Sequence, residues 1–141
     1  MAKQKDTDEL LKILKDWKGL EDKTIGFAKD ISKKSKNALV KMTMEMIRSD
    51  SEKHKVMLQA AMDQMTKEAM HISPDELLSI ADPLDKHIEA EAQSLSAASA
   101  ALSKNKDFFV RYILSYLIAD ETKHHEMLSR LDAIKKRYVP Y

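Results

Sequence analysis

Apolar residues return every three or four positions through most of this chain, the spacing that lines one side of an α-helix. Leu10, Leu14, Trp17, Glu21, Ile25, Ala28 and Ile31 mark the first such face, which only Glu21 interrupts. Asp6 and Glu9 have capping-box spacing and predict where this helix starts. Gly19 and Gly26 lower its propensity and leave room for a neighbouring backbone to pass close by. A turn near residues 32–36 leads to Asn37, a predicted N-cap, after which Val40, Met44, Ile47, Ser51, His54, Leu58, Ala61 and Met65 form a second face. From Met70 the pattern fails. Ser73, Pro74, Asp75 and Glu76 read as the cap and first turn of a short helical piece, and Asp82-Pro83 repeats that signal to open a third long helix. Its face runs Leu84, His87, Glu91, Leu95, Ala98 and Leu102. Asp107 is predicted to cap a fourth helix whose face is Val110, Leu114, Leu117, Glu121, His124, Leu128 and Leu131, running to about Arg137 and ended by Val139, Pro140 and Tyr141.

The second half of the chain rewrites the first at an offset of 70 residues. Asp50, Lys53, His54, Met57 and Leu58 match Asp120, Lys123, His124, Met127 and Leu128 without a gap. Extending the register pairs Leu14 with Leu84, Glu21 with Glu91, Ala28 with Ala98 and Val40 with Val110, while Ser51 stands where Glu121 has its carboxylate. The expectation is one domain over residues 1–141, made of two repeated helical hairpins at about 7–70 and 75–138. The connection over residues 70–82 suits a crossover between hairpins, and an up-down-up-down path stays open.

Composition narrows the class. Two Gly and three Pro in 141 residues, with 43% apolar residues, favour long helices over a strand-rich fold. A net charge of +1 with interspersed signs offers no field to recruit nucleic acid or an anionic membrane. No apolar run has the length of a membrane span, and the polar stretch from Met1 to Asp8 lacks the core of a signal peptide, so a soluble cytoplasmic protein is expected. The absence of cysteine removes disulfides, thiolate zinc sites and cysteine-held iron, and any metal must be bound by oxygen and imidazole nitrogen.

Such groups sit on the inward faces. Glu121 and His124 are three apart, so a helix stacks them on one side within reach of a single ion. A carboxylate in an apolar stripe is costly unless a cation compensates it. Glu21 and Ser51 each lie 15 positions from Lys36, as Glu91 and Glu121 do from Lys106, placing each pair about 22 Å from its turn. His54 and His124 follow one turn further on. If the two hairpins align, Glu21, His54, Glu91, Glu121 and His124 converge, with Ser51 beside them.

That arrangement resembles the ferritin-like, or rubrerythrin-like, di-iron carboxylate proteins, which build a site inside a four-helix bundle from two single glutamates and two Glu-x-x-His pairs. Glu21 and Glu91 match the single carboxylates, Glu121 with His124 matches one pair, and His54 matches the histidine of the other. The departure is Ser51, where the family has a bridging glutamate. The resemblance implies an all-α ferritin-like four-helix bundle that binds iron, as one or two ions, and reacts ferrous iron with dioxygen or peroxide in an oxidase- or peroxidase-like manner. Electrons would come from the iron or from an external donor. Manganese and zinc suit the same donor atoms. His87, one turn before Glu91, and Asp50 are further candidate ligands. With Ser51 in place, a single metal, a water-bridged pair and a lapsed site serving a metal-free interaction or structural module are the alternatives. Homo-oligomerisation is also open. Tyr112 and Tyr116 flank the fourth helix's core face as packing residues or an electron relay.

Overall fold

The structure is a computed structural model that describes residues 1–67 and 70–138. It is all-α, with no strand among the described residues: α1 spans Ala2–Lys34, α2 Ala38–Thr66, α3 Pro74–Lys104 and α4 Phe108–Tyr138. Helices α1 and α2 pack as one hairpin and α3 and α4 as another, within two compact units, Met1–Met70 and His71–Tyr141. No helix among the described residues is long and apolar enough to cross a membrane.

The repeat is built into the turns, position by position. In the first, the Asn37 side chain accepts from the Leu39 and Val40 amides at 2.9 and 3.1 Å, and Ser35 Oγ accepts from the Asn37 amide at 3.1 Å. In the second, Asp107 accepts from the Val110 amide at 3.0 Å and Asn105 Oδ1 accepts from the Asp107 amide at 2.8 Å. Both N-caps fall where predicted and satisfy amides that a helix leaves open at its start. Lys41 Nζ then reaches back to the Ser32 carbonyl at 2.6 Å, and Arg111 Nη1 to the equivalent Leu102 carbonyl at 2.7 Å. Each base neutralises the negative end of the preceding helix.

Away from the turns the hairpins differ. In the first, Leu14, Leu58 and Met62 form a buried cluster with Leu11 and Met65 against it. In the second, the counterparts of Met62 and Met65 are Asp132 and Lys135. Lys135 is buried at 1% exposure, with its Nζ 2.9 Å from Asp132 and 3.0 Å from Asp85 on α3. Polar cross-links also span the first hairpin, where Lys18 Nζ donates to Gln59 at 2.8 Å and Lys55 pairs with Asp22 at 2.7 Å.

Three local expectations need correction. Helix α1 begins at Ala2 with no side-chain cap, so Asp6 and Glu9 lie inside it: Ala2, Lys3, Gln4 and Lys5 are good helix formers and carry the helix past the capping signal. Asp82-Pro83 opens nothing, because α3 runs unbroken from Pro74 with Pro83 inside it. Ser73 and Glu76 form a complete reciprocal capping box, and Leu77 and Leu84, two turns apart, are both buried on one face. Together these outweigh the one backbone bond Pro83 removes, a cost of about 3 kcal/mol. The irregular connection is thereby shorter than predicted, closing at Ser73 rather than at Asp82. Finally, a Cβ at Gly19 or Gly26 would meet nothing within 4 Å, so within the first hairpin neither glycine is needed for a close backbone approach among the described residues. The predicted ending at Val139, Pro140 and Tyr141 lies outside the described residues.

Candidate metal centre

In the first hairpin, α1 presents Glu21 and α2 presents Ser51 and His54, as the equal distances from the turn require. Glu21 is buried at 8% exposure and Ser51 at 4%. Trp17 Nε1, one turn before Glu21, donates to Glu21 Oε1 at 3.1 Å, and His54 Nδ1 lies 3.1 Å from the same oxygen. Against an ionised carboxylate that imidazole nitrogen carries the hydrogen. Burial pushes the Glu21 carboxyl upward, but hydrogen bonds from Ser51, Trp17 and His54 outweigh it and hold the group below the ordinary glutamate range. Glu21 therefore already has three donors within its own hairpin. Asp50 pairs with Lys53 on its own helix at 3.9 Å.

The second hairpin answers the same problem differently. Ligand atoms of Glu91 on α3 and of Glu121 and His124 on α4 all lie within 4.8 Å of one another. Glu91 Oε2 is buried and meets no nitrogen or hydroxyl donor among the described residues. Beside it stands a second carboxyl. The hydrogen bond between Glu91 and Glu121 holds Glu91 below the glutamate range and lifts Glu121 above it. His124 Nδ1 lies 3.9 Å from Glu91 Oε1, and His87 Nε2 lies 3.2 Å from the same oxygen. A groove of about 360 Å³ opens over His87, Glu91, His124, Met127 and Leu128.

The expected ligands thus gather by hairpin: Glu21, Ser51 and His54 in the first, Glu91, Glu121, His124 and His87 in the second. Two features escaped the sequence reading. Trp17 is the repeat counterpart of His87, so both hairpins carry a ring nitrogen one turn before the glutamate of their first helix. Extending the 70-residue register to that position would have found it. The other is the buried Lys135, whose Asp-x-x-Lys setting reads as an ordinary exposed helix end. Tyr112 and Tyr116 stack edge to face at 4.9 Å, and the hydrogen bond between them raises the Tyr116 hydroxyl.

Comparison with protein-family models, curated proteins and solved structures finds no match. Fold and side chains define the class by themselves: an all-α protein of duplicated helical hairpins, with a carboxylate–imidazole cluster in each, of which the second contains the grouping suited to a metal ion.

Proposed function

We propose that this protein binds a divalent metal ion through Glu91, Glu121 and His124, and that the ion is iron, reacting in its ferrous state with dioxygen or peroxide. The supporting observation is the closeness of the Glu91 and Glu121 carboxyls to each other and to His124, with ligand atoms all within 4.8 Å of one another, an arrangement whose negative charge a cation would compensate. The donor set fits the ion: two carboxylates and an imidazole with no thiolate suit iron, manganese or zinc. Iron is the choice made by the resemblance to di-iron carboxylate proteins. When bound, it would supply one-electron chemistry with oxygen species. Glu91 and Glu121 would supply carboxylate oxygens and His124 a ring nitrogen to hold it, and Met127 and Leu128 would wall one side of the groove against bulk water. With no cysteine in the chain, further electrons come from an external donor.

Isothermal titration of the chelator-stripped protein with ferrous iron under nitrogen, and with zinc in air, tests the reading. Wild type is expected to bind, and Glu121→Ala to weaken binding at least ~10-fold, the size of effect that even an outer-shell change produces. Absence of saturable binding in wild type would remove the proposal.

A second reading, a metal-free interaction or structural module, draws on Glu21. Its three hydrogen-bond donors, with Ser51 in place of a glutamate, describe a carboxylate that needs no cation. On this reading a chelator leaves thermal stability unchanged and Glu121→Ala stabilises the fold, since it removes an uncompensated carboxyl.

A further inference from the structure

The two hairpins share register, turn chemistry and helix spacing, yet differ at two of the three positions around their central glutamate. The first surrounds Glu21 with Trp17, Ser51 and His54; the second surrounds Glu91 with His87, Glu121 and His124. Both differences run the same way. Indole Nε1 is a donor only and has no lone pair for a metal, whereas imidazole has one. A serine hydroxyl is a weak neutral ligand, whereas a glutamate is an anionic one. The first set satisfies a carboxylate by hydrogen bonds; the second is a set of four groups each able to coordinate.

The spacing agrees. Metal–oxygen and metal–nitrogen bonds of about 2.0–2.2 Å put neighbouring ligand atoms on one ion about 3.0–3.5 Å apart. His87 Nε2 is 3.2 Å from Glu91 Oε1, already at that separation, though outside the Glu91, Glu121 and His124 grouping that lies within 4.8 Å, so its side chain must turn to meet the other two; His124 Nδ1, at 3.9 Å, is a small adjustment away. Both imidazoles line the groove over Glu91, and at 58% and 45% side-chain exposure each is free to turn a lone pair toward an incoming ion.

We propose that His87 is the fourth protein ligand of a mononuclear site contained within the second hairpin, made of Glu91, Glu121, His87 and His124. The inference rests on the metal-binding reading above and sharpens it: two nitrogens and two carboxylates on one ion, with Glu21 and His54 outside the set. The ligand class is a single borderline divalent cation such as zinc, ferrous iron or manganese, rather than a carboxylate-bridged pair.

The test follows the histidine side chains by long-range proton–nitrogen NMR while zinc is added to the full chain. One equivalent is expected to shift the ring nitrogens of His87 and His124 together and lock each ring in one tautomer, leaving His54 unmoved. In a parallel zinc titration, His87→Ala is expected to lose affinity by about tenfold or more while its metal-free thermal unfolding stays at the wild-type value. A His124 shift without a His87 shift, or wild-type zinc affinity in His87→Ala, would overturn the assignment while leaving metal binding intact. If neither histidine responds and no zinc binds, metal binding fails and takes this assignment with it.

Discussion

Glu21 and Glu91 stand at the same place in the repeat and show how neighbours decide what a carboxylate does. Glu21 has three donors and sits below the ordinary glutamate range despite its burial, so its folded form binds protons less readily than its unfolded form. The stability it contributes is therefore present above the unfolded value of about 4.5 and is lost as pH falls through the lower folded value. Urea unfolding between pH 7 and pH 3 is expected to show that loss. Glu21→Ala should cost about 1–3 kcal/mol at pH 7, the penalty for stranding its donors, with a flatter dependence on pH. Trp17 supplies a local readout, because its indole nitrogen donates to Glu21 and it is the only tryptophan in the chain. Its emission should shift over the pH range in which Glu21 takes up a proton. Glu121 has the opposite sign: its carboxyl is raised by Glu91, so its contribution is greatest in acid and is lost as pH rises through the raised value. The positions of all these residues were legible from helical spacing and the repeat. Their division into a hydrogen-bonded set and a candidate metal set was not, because it turns on Trp17, which reads as one more apolar residue in a stripe.

At the scale of the helices, sequence placed the middle of the interior faces, where Leu14, Glu21, Ile25, Ala28, Ser51, Leu58 and Leu84 are buried, but Leu10, Trp17, Ile31, Ile47, Val110 and Leu117 of the same predicted faces are exposed, and the helix ends were predicted unevenly. Asn37, Ser73 and Asp107 cap as their side chains dictate, since each accepts from an open amide of the first turn that follows it. Asp6 does not, because the residues before it are themselves good helix formers. Pro83 misled for a related reason: a proline reports a local cost, while the helix is held by Leu77 and Leu84 several residues away. Lys135 is the element-scale counterpart of this lesson. Lys135→Met should destabilise the protein by about 1–3 kcal/mol, since Asp132 loses its nearer cation but keeps Lys136 at 3.0 Å. Adding Asp132→Met, which copies Met62 and Met65 of the first hairpin, should recover most of that loss, as apolar replacement of a buried ion pair commonly does. Urea unfolding of wild type, single and double variants measures both steps.

For the molecule as a whole, the repeat makes a prediction about where a metal would act. Hydrogen exchange on the full chain, with and without one equivalent of zinc, should show added protection in α3 and α4 around Glu91 and Glu121, because a ligand stabilises what it binds by mass action. Protection of α1 and α2 to the same degree would bring Glu21 and His54 into the ligand set. The two repeated hairpins were legible from the 70-residue offset, though the expectation is one domain over residues 1–141, and the all-α class was legible from composition and spacing. The pairing in space was legible only as helix with sequence neighbour, since short turns dictate α1 on α2 and α3 on α4.

The matching turns of Asn37 with Lys41 and Asp107 with Arg111 fix the same backbone frame twice in one chain. The molecule thereby carries its own blank. Any response to an added ion that appears in one half and is missing from its twin can be attributed to side chains alone, with buffer, temperature and chain history cancelled within a single sample.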